Sequence, residues 1–310
     1  MVHFIGRRLL SGVVTIWFIA TATFAAMHAV PGDPLQNDKA IPPAMRAHLE
    51  RQYGLDKPVV QQYAIYLGNM LRGDFGISFT QKNRRVNDII REHFPVSAIL
   101  GVVALLFAVL GSLLWGSLTA RFQNRLPDLV ITFLVILAIS VPSFVFAAWG
   151  QLALIRLNQA LGYTLFPVAG WGTARHMLVP ALVLGLGTMA YLTRLLRASL
   201  LEIRGADYLR TARAKGLRER RIFFRHQLRN AILPMVTVLG PAIATITTGG
   251  FVVELVFAIP GLGRFFVQAV QQLDYTVIMG TTVFYGAFLV AMVIVVDILY
   301  GWVDPRMRVG

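Results

Sequence analysis

The stretch "RGADYLRTARAKGLRERRIFFRHQLRNAILP", Arg204–Pro234, indicates the fold class of this chain, because its dense positive charge contrasts with the apolar sequence on both sides. It carries nine Arg or Lys residues and only two acids, Asp207 and Glu219. Long apolar stretches lie on both sides of it. A short segment of dense positive charge between apolar stretches is typical of a cytoplasmic loop in a membrane protein.

The composition of the chain agrees with a membrane location. Of its 310 residues, 56% are hydrophobic and 14% are charged, and the mean hydropathy is +0.64. Soluble domains usually carry about 25% charged residues. The chain has no Cys, which excludes a disulfide framework, thiol catalysis and a Cys-based metal site. We therefore expect a polytopic membrane protein.

Six stretches are apolar and long enough to cross a bilayer as helices, which takes about 20 residues each. They predict an all-α fold with six transmembrane helices. The third and fifth stretches are longer than one crossing requires, so we expect them to tilt or to continue as interfacial helices. The six predicted spans are Leu9–Val30, Pro95–Ala120, Asp128–Leu157, His176–Leu200, Ala231–Ile259 and Thr276–Val303.

Arginines in the short loops predict the orientation, because Lys and Arg collect on the cytoplasmic side. Both termini and the Arg204–Pro234 segment are then cytoplasmic, and residues 31–94 lie outside. Much of the net charge of +14 is therefore a topology signal. Nucleic-acid binding needs a basic soluble face with base-reading groups, so nucleic acid is not an expected partner. The arginines that set the orientation are Arg7, Arg8, Arg121, Arg125, those of the basic segment, Arg306 and Arg308.

The basic segment is predicted to form two short helices joined at a glycine. Ala, Leu, Arg and Lys, which favour helices, fill its first half. Asp207 in the first turn and Lys215 in the last turn suit the helix dipole. Gly216 lies where a helix-ending residue with positive φ is expected. A second helix from about Glu219 has an apolar face that can lie on the membrane core, formed by Ile222, Phe223 and Leu228.

Small side chains in the first of these helices allow another protein surface to approach closely, and Arg210 and Arg213 can bind carboxylates on such a surface. A basic loop held by anionic lipid headgroups explains the same residues equally well. Both interpretations stay open on physical grounds. The candidate contact residues are Gly205, Asp207, Tyr208, Arg210, Thr211, Ala212, Arg213, Ala214, Lys215 and Gly216.

The segment resembles the "EAA" loop of ABC importer permeases. Arg210, Thr211 and Ala212 stand where that loop usually has Glu-Ala-Ala, while Gly216 and the Ile-Leu-Pro ending at Pro234 keep the pattern. The form "RTARAKGL" with "RHQLRNAILP" is similar to the variant in peptide-importer permeases. The absence of this Glu does not affect the interpretation that a partner protein binds the helix. The contacts that the Glu makes in the family, however, are not carried over to this chain.

Further motifs resemble the B-type permease subunit of oligopeptide and dipeptide ABC importers. They are "VPGDP", "YGLDKPVVQQYAIYLGNMLRGDFGISF", "FPVSA", "SVPSF", "VELVFAIPGLGRFF" and "VDILYGWVDPRMR". The order of these motifs and the predicted topology both agree with that subunit, and the resemblance extends over nearly the whole chain. "FPVSA" and "VPSFV" favour the oligopeptide branch over the dipeptide, glutathione and nickel branches.

The resemblance implies a type I ABC importer permease fold in a bacterial inner membrane. Its parts are a first transmembrane helix at 1–30, an extracytoplasmic segment at 31–94 and a five-helix core at 95–310, with a coupling loop at 201–230. The implied partners are a second permease in a heterodimer, two cytoplasmic ATPases that bind ATP and Mg, an extracytoplasmic peptide-binding protein, peptide substrate and membrane lipid. Alternating access coupled to ATP hydrolysis is the implied mechanism.

Residues for catalysis or cofactor binding are not found in the sequence. The chain lacks a G-x-x-x-x-G-K-[ST] loop, so we expect no ATP hydrolysis by it. Its histidines are scattered without metal-ligand spacing, and "GLGTMA" at Gly185–Ala190 lies inside a span. The chain is expected to be a transport subunit with no bound cofactor or metal. The alternatives from other classes are a secondary transporter, a channel or a membrane-anchored sensor.

Two acids in apolar spans are candidates for function because a charge there is costly. Glu254 either caps the amides at Gly261–Gly263 or pairs with Arg264. Asp297 pairs with a basic residue such as Arg194 or Arg197. For both, a structural lock, a substrate contact and a proton relay stay open. We expect Glu254, Pro260, Gly261 and Gly263 to form an external gate that folds back over the pathway, and Pro142 to bend span three.

Overall fold

The computed structural model describes residues 2–30, 50–51, 54–81 and 84–303. Residues 31–34 of "VPGDP", Tyr53, and residues 304–308 with the two C-terminal orientation arginines lie outside the described residues. The helices described are α1 (Val2–Ala29), α2 (Val59–Leu71), α3 (Val86–Arg121), α4 (Leu126–Ser140), α5 (Ser143–Leu161), α6 (Ala174–Ile203), α7 (Asp207–Ala214), α8 (Glu219–Ile222), α9 (Leu228–Ala231), α10 (Leu233–Gly249), α11 (Phe251–Val256), α12 (Leu262–Gln271) and α13 (Tyr275–Val303), with a π-helical turn at Phe223–Gln227.

The predicted all-α membrane architecture is confirmed. Five helical segments in the described residues are long and apolar enough to cross a membrane, or six if one bent pair counts as a span. These segments correspond to the six predicted stretches. The five counted without the bent pair are Gly6–Ala29, Val86–Arg121, Ala174–Ile203, Leu233–Val256, which combines α10 and α11, and Tyr275–Ile298.

The third predicted span is not one continuous helix. It consists of α4 and α5, which meet at an angle of 108°. The break lies at Val141 and Pro142: the proline has no N–H to donate, and the residue before it is extended with φ −89° and ψ 127°. The predicted bend at Pro142 is confirmed, and the predicted third span consists of two helices.

The second span begins earlier than the sequence indicates. α3 starts at Val86 and contains Pro95 in its interior, so "FPVSA" does not open the helix. The first turns are polar enough to escape a hydropathy pattern, yet Val86, Ile89 and Ile90 are buried. Packing of these three side chains explains why the helix extends upstream of its apolar stretch.

The chain divides into two compact units, each with its own packing. The first comprises Met1–Val96 and Gly261–Ala291, and the second comprises Ser97–Pro260 and Met292–Gly310. In the first unit, the start of α3 packs against α12 and the start of α13. The buried members of this cluster are Val86, Ile89, Ile90, Leu262, Ala269, Val277 and Ile278.

Glycines bring α3 and α6 close together in the second unit. A Cβ atom at Gly185 of α6 would lie 2.6 Å from the backbone oxygen of Ala104 in α3. A Cβ atom at Gly111 of α3 would collide with the Sδ atom of Met189. Small residues at such crossings are how membrane helices approach closely. The "GLGTMA" stretch therefore contributes to helix packing.

Candidate functional site

The predicted helix–glycine arrangement of the basic loop is confirmed. α7 begins at Asp207 and ends at Ala214, and Gly216 has φ +73°. The N–H of Gly216 donates to the Arg213 carbonyl at 2.9 Å, and that of Leu217 donates to the Ala212 carbonyl at 3.3 Å. These bonds satisfy carbonyls that the helix end leaves open.

The burial of Ala212 corrects the prediction that this small side chain lets another protein surface approach closely. Ala212 is 5% exposed and packs with Leu209 and Ile222, so it forms part of the loop's own small core. A partner cannot approach this side chain directly. The solvent-facing candidates are instead Gly205, Asp207, Tyr208, Arg210, Thr211, Arg213, Ala214, Lys215 and Gly216.

Two ion pairs lie on the surface of the loop. Arg213 Nε donates to Glu219 Oε1 at 2.9 Å, which joins α7 to α8. Arg210 Nη1 lies 3.5 Å from Asp207 Oδ1, with both side chains largely exposed. Exposed pairs contribute about 0–1 kcal/mol, so these arginines can exchange their partners for carboxylates of another protein at little cost.

The second helix of the loop is present but contains a π-helical turn. α8 leads into the turn at Phe223–Gln227, and α9 follows. The Gln227 side chain donates from Nε2 to the Leu200 carbonyl at 3.0 Å, one of the last carbonyls of α6. Phe223 and Leu228 pack against the cluster that contains Leu196 and Leu200. Phe223 and Leu228 of the predicted apolar face thus join the loop to the end of α6, whereas Ile222 packs within the loop itself.

A partly buried ion pair between α4 and α6 was missed by sequence reasoning. Asp128 in the first turn of α4 is 3% exposed. Arg197 of α6 binds it with Nε at 2.9 Å from Oδ1 and Nη2 at 2.8 Å from Oδ2. The N–H of Asn124, which has φ +59°, donates to Oδ2 at 2.9 Å. An acid at the start of one span and an Arg inside another were the available signal, because each is costly in a membrane unless paired.

A second buried carboxylate, Asp274, was also missed. It is fully buried directly before α13, after Leu273, whose φ is +55°. Its N-terminal position is typical of a helix cap, and an Asp preceding a long apolar helix was the available signal. The carboxylate accepts hydrogen bonds from the side chains of Ser78, Thr80 and Thr276 and from the backbone N–H groups of Phe79, Thr80 and Val277.

The residues of the predicted external gate fall on both sides of the division between the units. Glu254 is 1% exposed in α11 and belongs, with Pro260, to the second unit. Gly261 precedes α12, and Gly263 is buried in its first turn. The caps proposed for the Glu254 carboxylate and the gate itself stay predictions.

The end of α11 is held by groups that the sequence did not single out. The carbonyl of Glu254 accepts from the N–H of Ile259 at 2.8 Å, across Ala258 with φ +51°. Gln151 Nε2 donates to the Val256 carbonyl at 2.7 Å, and the Gly170 N–H donates to the Phe257 carbonyl at 2.8 Å. The irregular backbone after α11 is thus tied down within its own unit.

Asp297 is half-buried in α13. Arg197, one of the two partners considered for it, is bound to Asp128. A role for Asp297 stays a prediction.

Comparisons with known proteins extend over the whole chain. The model of the family "binding-protein-dependent transport system inner membrane component" matches residues 112–309, and that of its N-terminal part matches residues 1–101. A dipeptide transport system permease protein, DppB of Bacillus subtilis, is 41% identical over 99% of this chain and 98% of its own length. An oligopeptide transport system permease protein, OppB of Haemophilus influenzae, is 39% identical over 99% of this chain and 100% of its own.

A solved structure supports the fold. The MetNI methionine ABC transporter in an inward-facing conformation matches with a TM-score of 0.53 and 17% identity, over 69% of this chain and 94% of that one. The family model covers more than half of this chain, and the relatives align over nearly all of it. The chain therefore belongs to the family of binding-protein-dependent transport system inner membrane components.

Proposed function

We propose that this chain is the permease subunit of an ATP-driven importer, through which peptides cross the membrane by alternating access. The observation that carries this function is the folded loop on the end of α6. Only Arg204, Gly205 and Ala206 separate α6 from α7. The Gln227 bond to Leu200 and the packing of Phe223 attach the rest of the loop to the same helix end. A force applied to the exposed face of α7 is thus transmitted to a spanning helix.

Peptide is the substrate that the relatives support. Dipeptide and oligopeptide permeases are 41% and 39% identical to this chain at full length. The similar identities do not separate the two branches. The motifs "FPVSA" and "VPSFV" favour oligopeptides, and we keep that choice as part of the proposal.

Membership of the family implies that the chain works with other ABC components. In the proposed assembly, the chain forms a heterodimer with a second permease. Two cytoplasmic ATPases bind ATP and Mg and contact α7, and an extracytoplasmic binding protein delivers peptide. ATP binding closes the ATPase pair, moves α7 and α6, and opens the pathway outward; hydrolysis restores the inward state.

A substitution on the exposed face of α7 tests the coupling. Ala214→Glu places bulk and negative charge on that face, and Asn230→Glu makes the same charge change at an exposed position of α9. We expect Ala214→Glu to reduce ATP-driven peptide uptake and ATPase copurification at least tenfold at an unchanged membrane level, and Asn230→Glu to leave both close to normal. Full uptake in Ala214→Glu, or peptide flux through the purified chain without ATPase and ATP, would overturn the proposal.

The proposed orientation has both termini in the cytoplasm. Because the chain has no native Cys, a cysteine at Gln81 should react with an impermeant thiol reagent from outside intact cells, and one at Arg218 should react only after the membrane is opened. The reverse labelling pattern would refute this orientation.

A further inference from the structure

A groove of about 630 Å³ lies in the second unit, between the end of α3, the end of α6 and the basic loop. Its floor is apolar although charged residues surround it. The side chains that form this floor are Leu114, Leu118, Leu200, Leu201, Phe223 and Phe224. Two of them, Leu114 and Phe224, are more than half exposed, so the apolar surface is open to its surroundings.

Arginines dominate the charge of the groove. Arg121, Arg204, Arg213 and Arg220 line it together with one acid, Glu219. Arg213 is bound to Glu219 at 2.9 Å. Among the described residues, no carboxylate lies within ion-pairing distance of the other three arginines. The groove thus presents three cationic side chains beside an apolar floor.

The position of the groove identifies the kind of ligand that fits it. α3 and α6 are both candidate membrane spans, and they end at Arg121 and Ile203. The groove therefore lies where spans end, on the side that the loop charge assigns to the cytoplasm. Its ligand must combine an anionic group for the guanidinium groups with an apolar part for the floor.

We propose that this groove binds one anionic phospholipid of the cytoplasmic leaflet, with its phosphate on Arg121, Arg204 and Arg220 and the upper part of an acyl chain against Phe223 and Phe224. Guanidinium groups bind phosphate oxygens in paired hydrogen bonds. The lipid joins the loop to the ends of two spans, since Arg220 lies in the loop and Arg121 in α3. The proposal rests on the membrane location of the chain and not on its transported substrate.

Lipid retention by the assembled complex tests this site. The complex is purified from nanodiscs of phosphatidylcholine with phosphatidylglycerol, and retained phosphatidylglycerol is counted by native mass spectrometry. One variant carries Arg121→Gln, Arg204→Gln and Arg220→Gln. The control carries Arg218→Gln, Arg225→Gln and Arg229→Gln, which remove equal charge from exposed positions that do not line the groove.

We expect the groove variant to retain at least tenfold less phosphatidylglycerol than the unmodified complex, and the control to retain the normal amount. Ser117→Trp, which fills the groove and keeps every charge, should also displace the lipid. Equal retention in the groove variant and the unmodified complex, or equal loss in groove variant and control, would overturn the site.

A photoreactive residue at Phe224 should capture lipid; capture of an ATPase subunit instead would assign the groove to that partner. None of these readouts depends on peptide uptake.

Discussion

Asp128 and Asp274 are both buried carboxylates at the start of a helix, but the protein stabilises them in different ways. Asp128 is bound by the charged Arg197 from another helix, 69 positions further along the chain. Asp274 is surrounded by neutral hydroxyl and N–H donors from its own helix start and from the Ser78–Thr80 loop. The first arrangement links two membrane helices, and the second fixes a loop to a helix end.

This difference determines what happens when a partner is lost. A buried carboxylate that loses its cation is strongly destabilising, because the neutral donors that remain on Asp128, the Asn124 N–H and the Thr132 hydroxyl, compensate only part of its charge. A carboxylate with many neutral donors loses only part of its stabilisation when one bond disappears. We therefore expect global effects from the Asp128 site and local effects from the Asp274 site.

The largest effect is expected from Arg197→Met, which leaves Asp128 buried without its cation. Such a loss costs about 3–5 kcal/mol, or a fall in Tm on the order of 10 °C. Thermal unfolding of the purified chain in detergent measures it. The double variant with Asp128→Asn removes both charges and should be more stable than Arg197→Met alone. Arg156→Met, at an exposed position of α5, is the control. Equal Tm values for Arg197→Met and Arg156→Met would contradict the importance of the pair.

A smaller and local effect is expected from Asp274→Asn. The amide keeps the shape of the side chain, but it offers one acceptor oxygen where the carboxylate offers two to the same donors. We expect this loss to cost about 2 kcal/mol. The Ser78–Thr80 loop should open more often, so trypsin added to the purified chain should cleave after Arg85 roughly 30-fold faster. Asp88→Asn, an exposed acid in the first turn of α3, serves as the control. Unchanged cleavage would show that the loop is held by other contacts.

The smallest effect is expected at Tyr66, whose buried hydroxyl has no hydrogen-bond partner in the described part of the chain. Burial raises the pKa of Tyr66 to about 12, and Tyr63 adds to the shift. Between pH 10 and 12 the unfolded chain loses this proton first, so the free energy of unfolding should fall as pH rises.

Tyr66→Phe should remove that alkaline component and change stability at pH 7 by less than about 1 kcal/mol, because no hydrogen bond is lost. Unfolding at pH 7 and pH 11 checks both statements. Tyr63→Phe is the comparison. The Tyr63 hydroxyl lies 2.6 Å from Thr21 Oγ1, so its removal should break a hydrogen bond and lower stability at pH 7. A large loss at pH 7 in Tyr66→Phe would reveal a partner for the hydroxyl.

Local sequence signals predicted the parts of this fold that depend on neighbouring residues. Apolar stretches located the spans, Gly216 located a helix end, and Pro142 located a bend. The Asp128–Arg197 pair joins distant positions, so no local pattern reveals it. The burial of Ala212 depends on Ile222 ten residues later, which a reading of small side chains alone does not include. The early start of α3 likewise follows from packing against α12.

The crossing of α3 and α6 has a consequence for genetic suppression. At Gly111 an added Cβ meets the flexible end of Met189, so a smaller side chain at 189 can relieve the clash. At Gly185 the added Cβ meets the backbone oxygen of Ala104, which every residue at position 104 would still carry. Revertants of a Gly111 substitution can therefore arise on the facing helix, whereas revertants of a Gly185 substitution must restore glycine or shift a whole helix.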